Sequence, residues 1–380
     1  MKTPRKGIRL LDTGDTRIRD FKSGVSLHCH TDESRETLDF VPYYASKIPL
    51  VSQFLDRELE SYTARNGEVI DFARAYWTPP LPARAVLEAE INQIQQGLGL
   101  ASLVSITDHD NITACTHLQV LHPEQEIPVS LEWTVPFGCG FFHIGVHNLP
   151  PASSTEIWAL LTGYTRNPES NRLTDLLDLL CSDQDTLLVL NHPLWDIERI
   201  GEAGHHLLLA EFLGANGQWI HAIEVNGYRS WSENRDAVSL ADQYNLPIIS
   251  GGDRHGTEAN SILNLTNAAS FPEFAAEIRT DRVSEIAILP SYKEPTVLRM
   301  LETVADVLKY YPNHALGRRF WTDRIFWTLE DGSVRPMSFY WKRGGPAWVR
   351  ASLRVMKIIG SRRARPAMRL VFAREEGVWP

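Results

Sequence analysis

The chain has 380 residues, 43% of them apolar and 22% charged, usage that excludes a disordered, collagen-like or disulfide-scaffold protein. Residues 315–380 carry 14 basic and five acidic side chains, a local +9, so the overall −9 leaves −18 on the first 314 residues. Such an acidic body is a poor nonspecific binder of duplex nucleic acid, and an anionic substrate there needs metal ions or a few arginines. No 20-residue apolar run occurs and the opening MKTPRKGIRL lacks the apolar core of a secretory signal, so the chain is read as cytoplasmic.

In chain order, short β-rich apolar runs fall at Val25–Leu27, Leu103–Thr107, Ile127–Leu131, Ile144–Val146, Leu187–Leu190, Ala222–Val225 and Ile248–Ser250. Residues 36–81 interrupt the pattern with mixed aromatic and charged sequence and read as an insertion, a lid whose Tyr43, Tyr44, Tyr76 and Trp77 offer faces for stacking a base. A helix follows over 82–98, with Pro82 suited to its first turn, Val86, Leu87, Ile91, Ile94 and Leu98 at helical spacing, and Gly97 and Gly99 to end it. Another occupies 233–245. Strands alternating with helices predict an α/β fold around a mainly parallel sheet or barrel over residues 1–290. Residues 291–380 read as a mainly helical basic extension, and its arginines, Arg362, Arg363 and Arg365 among them, suit either a solvated face or contact with nucleic acid.

Polar residues follow the apolar runs directly: His28 and His30, Asp108-His109-Asp110, Glu132, His192, and Asp253-Arg254-His255 behind Gly251 and Gly252. In a parallel barrel these ends share one rim, so the groups would converge. Imidazole and carboxylate together suit zinc, manganese or iron. The four cysteines form no CxxC pair, so they supply no competing cysteine zinc knuckle. Each piece alone has an ordinary reading. His143 and His147 suit a satisfied core as well as a site, Asp108 suits a helix cap, and Glu224 suits an exposed strand end as well as an acceptor behind a metal-bound imidazole.

Taken in order, HCHT at 28–31, ITDHDN at 106–111, SLE at 130–132, FHIGVH at 142–147, NHP at 191–193, IEVNG at 223–227 and GGDRHG at 251–256 resemble the polymerase and histidinol phosphatase (PHP) family over residues 20–290. The resemblance implies a distorted seven-stranded (β/α) barrel holding two or three divalent ions and hydrolysing phosphoesters of nucleotides or short oligonucleotides. It implies that His28, His30, Glu132 and Asp253 hold one ion, that Glu132 bridges to a second held by His143 and His192, and that His109 and His255 belong to a third. Where the family pattern has an aspartate, this chain has Arg35. A third ion is therefore expected to be weakly held, unless Glu36 substitutes, and Arg35 is expected to bind substrate phosphate.

Arg254 is a further candidate for a nonbridging phosphate oxygen, and His255 or Asp110 for the proton donor to the leaving alkoxide. The alternatives are a metal-dependent amidohydrolase and a non-catalytic metal-stabilised module whose basic tail docks on nucleic acid.

Overall fold

A computed structural model describes residues 3–11, 18–47 and 49–359, so Arg362, Arg363 and Arg365 lie outside the described residues. Its strands are β1 (Arg5–Leu10), β2 (Ser23–Ser26), β3 (Glu36–Thr37), β4 (Ala75–Trp77), β5 (Ala101–Val104), β6 (Val129–Phe137), β7 (Gly140–Leu149), β8 (Leu187–Asn191), β9 (Ala222–Asn226), β10 (Ile248–Gly251), β11 (Ile262–Thr266), β12 (Val283–Ile288), β13 (Ile325–Thr328) and β14 (Val334–Pro336). Its helices are α1 (Phe40–Ser46), α2 (Pro49–Asn66), α3 (Ala83–Asn92), α4 (Thr113–Leu121), α5 (Ser154–Arg166), α6 (Ser170–Ser182), α7 (Glu202–Asn216), α8 (Trp231–Gln243), α9 (Phe271–Ala276), α10 (Thr296–Val307) and α11 (Ala347–Ile359). No helix among the described residues is long and apolar enough to cross a membrane.

All seven apolar runs fall in or against a strand, but the strands divide into three sheets, ordered β1-β12-β11-β2-β5, β10-β9-β8-β7-β6 and β14-β13-β4-β3. Pairing is parallel for β2 with β5 and along β8, β9 and β10, and antiparallel for β6 with β7 and β7 with β8. Beyond β2 and β5 the chain meets the second sheet at two isolated bridges, Cys29 with Arg254 and His109 with Glu132. The closed seven-stranded barrel expected from the sequence is therefore not formed by continuous strand pairing among the described residues.

Both faces of the second sheet are buried, as strands covered on two sides require. Leu188, Leu190 and Ile248 join the main apolar core, whereas their neighbours Leu187, Val189 and Ile249 join Val25 and Leu27 of the first sheet in a smaller core between the two. The predicted helix over 82–98 is α3 continued by a wider turn to Leu98, where Gly99 takes a left-handed φ of 70°. The expected helical extension contains α10 and α11 but also β13, which pairs with β4 of the insertion. Residues 36–81 and 325–336 thus make one small sheet around Leu38, Tyr62, Ala75 and Trp327.

Candidate metal centre

Just beyond β2, where His28 takes a positive φ, His28 and His30 project together with rings 5.2 Å apart, while the buried Cys29 faces the main core. Glu132, midway along β6, lies at the middle of the cluster and is fully buried. One oxygen of Glu132, Oε2, is 3.1 Å from His28 Nε2, 3.4 Å from His30 Nε2 and 3.2 Å from His109 Nδ1. The other, Oε1, is 3.2 Å from His143 Nδ1, 3.0 Å from His192 Nε2 and accepts from Asn191 Nδ2 at 3.0 Å. Asp253 Oδ1 stands 3.7 Å from both His28 Nε2 and His30 Nε2.

Glu36 completes the rim. Its Oε2 is 3.0 Å from His109 Nε2 and 3.2 Å from His255 Nε2, and its Oε1 accepts from the Ser34 hydroxyl at 2.7 Å. The anionic oxygen expected for a third ion is thus supplied one residue further on. Arg35, by contrast, is exposed and stacks over Tyr76 at 5.1 Å. Its expected place in the site is corrected by the pleat of β3, which turns Glu36 inward and Arg35 outward.

Two other candidates are also directed elsewhere. Arg254, which follows the left-handed turn at Asp253, points away from the cluster, where its Nε lies 3.3 Å from Glu90 and donates to the Glu258 carbonyl. Asp110 is spent on the Thr134 N–H at 2.9 Å, leaving His255, with 14% of its side chain exposed at the rim, as the candidate proton donor. Asp108 does not cap a helix. It clamps Thr31 through the backbone N–H at 2.6 Å and the hydroxyl at 2.7 Å, which fixes the HCHT turn. His147 is a core histidine, hydrogen-bonded to Ser105 at 2.8 Å and pushed down to about 3 by burial.

Behind the cluster, Glu224 is buried, with Oε1 2.5 Å from His28 Nδ1 and Oε2 accepting from the His192 N–H at 2.7 Å and Asn226 Nδ2 at 2.8 Å. It fixes the His28 proton on Nδ1 and aims Nε2 at the centre. Such close approach demands the two glycines: a Cβ on Gly251 would lie 1.7 Å from Glu224 Oε1, and one on Gly252 1.6 Å from Asn260 Oδ1. Backbone strain concentrates here as well, with positive φ at His28 (60°), His192 (27°) and Asp253 (52°), conformations that cost non-glycine residues about 1–3 kcal/mol and persist where surroundings enforce them.

Burial and charge compete throughout the cluster. Burial alone would push the Glu132 carboxyl up, but the charges of His28, His143 and His109 hold it well below the carboxylate range. Burial likewise lowers His109, and Glu36 with Glu132 outweighs it, lifting the imidazole to about 10. His30 and His143 are both driven down to about 4, first by burial. The carboxylates thus hold protons on some imidazoles and leave others neutral, the form in which a histidine binds metal.

The donor set fits divalent ions. His28 Nε2, His30 Nε2 and Glu132 Oε2 are buried without a hydrogen-bond partner, which is costly unless a ligand completes them. Three sets bring their ligand atoms within 4.8 Å of one another: His28, His30 and Glu132; His109, Glu132 and His143; and His30, Glu36, His109 and His255. Around them stand Trp77 beside His255, Phe141 beside His143 and Trp195 beside His192, with ring centres 5.8, 5.2 and 5.2 Å apart. Of the aromatics expected in a lid, Tyr76 is committed to Phe326 at 5.2 Å, while Tyr43 and Tyr44 are exposed on α1. Sequence reasoning missed Trp195 and Arg229, whose roles depend on distant partners, and quoted Asn191 and Asn226 within the NHP and IEVNG motifs without assigning them a role.

No family profile and no curated protein matches the chain. Among solved structures, PsfC from Pseudomonas syringae is 13% identical, covering 73% of this chain and 95% of that one with a TM-score of 0.39. An amidohydrolase from Chromobacterium violaceum is 18% identical over 48% and 86% at 0.31. A protein from Bifidobacterium adolescentis described as a metal-dependent phosphoesterase is 13% identical over 62% and 88% at 0.33. Superpositions this loose leave fold and function to be argued from the chain itself.

Proposed function

We propose that the chain is a metal-dependent hydrolase of phosphate esters, of the PHP type, acting on a nucleotide or short oligonucleotide. The observation that carries this reading is the convergence of unpartnered buried donors, His28 Nε2, His30 Nε2 and Glu132 Oε2, within one cluster of imidazoles and carboxylates. In this reading the two sheets are a distorted barrel seamed at the Cys29–Arg254 and His109–Glu132 bridges, with residues 291–380 an extension on it.

His28, His30, Glu132 and Asp253 would hold one ion, Glu132, His143 and His192 a second, and Glu36, His109 and His255 a third. When bound, the ions, zinc, manganese or iron, lower the pKa of a water and neutralise phosphate oxygens. The chain's own part is to position and to move protons. Glu224 keeps the proton of His28 on Nδ1, and the Asp253 carbonyl, 2.8 Å from His255 Nδ1, keeps one there and turns Nε2 of that ring to the rim. His255 can serve as proton donor to the leaving alkoxide only with its Nε2 protonated and the third site unfilled, so its two roles are alternatives. Trp77, Phe141 and Trp195 narrow the mouth and exclude water.

The test is metal-supplemented expression, elemental analysis and a panel of phosphomonoesters, phosphodiesters and cyclic amides. Release of phosphate or nucleoside that is lost with chelation supports the reading. Turnover of cyclic amides alone would make the chain an amidohydrolase. Bound metal without turnover of any member would make it a metal-stabilised binding module.

A further inference from the structure

A centre that binds an oxyanion benefits from a fixed cation beside it, and both arginines expected to serve, Arg35 and Arg254, turn away. Arg229, on the loop between β9 and α8, does not. Its guanidinium sits over the Trp195 ring at 3.7 Å, and Nη2 is 3.6 Å from Asp253 Oδ2, on the carboxylate whose other oxygen faces His28 and His30. Although only 8% exposed, it has two long ion pairs and no hydrogen bond through Nε: Asp253 at 3.6 Å from Nη2 and Glu233 at 3.9 Å from Nε stand beyond hydrogen-bond distance, and Nε is buried without an acceptor. A buried guanidinium N–H lacking an acceptor is a site waiting for an anionic oxygen.

The loop is built to hold it still. The Arg229 carbonyl accepts from Tyr292 Oη at 2.9 Å and Arg299 Nη2 at 3.0 Å. Asn226 accepts from the Tyr228 N–H at 2.7 Å, and Ser230 caps α8 by accepting from the Glu233 N–H at 3.2 Å. On the open side Trp195, 40% exposed, covers the guanidinium and also touches His192, so cation, aromatic ring and candidate ligands form one continuous wall. A planar guanidinium stacked on an indole keeps its in-plane N–H groups free for bidentate recognition, which a lysine cannot reproduce.

We propose that Arg229, seated on Trp195, is the specificity-determining cation of the centre and takes a nonbridging oxygen of the substrate's phosphate. The inference deepens the phosphoester reading and rests on it: a neutral amide carbonyl has no anionic oxygen for this group, so Arg229 selects phosphate over carbonyl substrates. The competing role is a structural counterion to Asp253.

The experiment uses full-length protein expressed with metal. Metal content, calorimetric affinity for inorganic phosphate, and kcat and KM on the best phosphoester are measured for wild type, Arg229→Met, Arg229→Lys and Trp195→Ala. Expected is unchanged metal content in Arg229→Met with phosphate affinity roughly ten- to a hundredfold weaker and KM raised more than kcat is lowered. Arg229→Lys and Trp195→Ala should fall between, since one keeps charge without the fork and the other keeps the fork without its support. Phosphate affinity of Arg229→Met within about twofold of wild type, or metal lost along with it, overturns the proposal. If Arg229→Met does not fold, unchanged phosphate affinity in both remaining variants overturns it. Should wild type hydrolyse no phosphoester, the functional reading fails, while Arg229-dependent phosphate binding still upholds the anion site.

Discussion

The inner and outer halves of the imidazole cluster make like contacts but differ in their access to solvent. Inside, the His28, His30 and Glu132 side chains are at most 1% exposed, and each has one buried atom with no hydrogen-bond partner. Outside, Glu36 stands 3.0 Å from His109 and 3.2 Å from His255, but the three are 9%, 16% and 14% exposed, within reach of water. A buried atom without a hydrogen bond demands a ligand, whereas one near solvent can take water instead. The inner half should therefore depend on metal to hold together, and the outer half should only be completed by it.

The largest effect is expected at the residue both halves share. Glu132→Gln preserves shape but removes the charge that five imidazoles face, His28, His30, His109, His143 and His192. It should leave less than one ion per chain by elemental analysis, reduce hydrolysis by about a thousandfold or more, and destabilise folding by roughly 3 kcal/mol in thermal melts. Glu36→Gln should be milder and divide the halves: one ion fewer, the inner ions retained, and activity down about ten- to a hundredfold. If it empties the centre as fully as Glu132→Gln does, the distinction between halves is wrong. Since Glu36 belongs to the segment 36–81, replacing that segment by a short loop should also cost an ion and not merely alter substrate choice.

Acid should separate scaffold from site. His221 accepts from the Leu188 N–H at 2.9 Å and is pushed down to about 3 by burial and then by the charge of Arg279. Its unfolded form titrates near about 6.5, so on acidification the unfolded chain takes up the proton first. The stability involved is intact above that pH and is lost between there and about 3, at up to about 1.4 kcal/mol per pH unit. Denaturant titrations of metal-free His221→Gln should show a correspondingly shallower acid slope, with metal content unaltered when ions are restored. The smallest effect belongs to Arg35. Arg35→Ala should change metal content and kcat/KM by less than about twofold, and Arg35→Asp should not gain metal affinity, because the side chain at this position faces Tyr76.

What could be read from the chain depended on locality. His28, Glu132, His192 and Asp253 were visible because each lies next to or within an apolar strand run, so a polar residue there stands out. Arg35 was misplaced by a single step of the two-residue alternation, which sends neighbours to opposite sides and puts Glu36 inward instead, and Arg254 by the left-handed turn at Asp253 that no local pattern announces. The antiparallel pairing of β6 with β7, which turns at Gly138 with a φ of 58°, is a departure from the mainly parallel sheet expected of the alternating strands and helices. Nothing local reveals that Ala75–Trp77 will pair with Ile325–Thr328, since a three-residue strand acquires its meaning from a partner about 250 positions away.

The most direct test of the central claim is elemental analysis of full-length protein purified after metal-supplemented expression, for wild type beside Glu36→Gln and Glu132→Gln. The account predicts two or three ions per wild-type chain, one fewer in Glu36→Gln and less than one in Glu132→Gln. Wild-type protein that holds less than one ion per chain while remaining folded would contradict it.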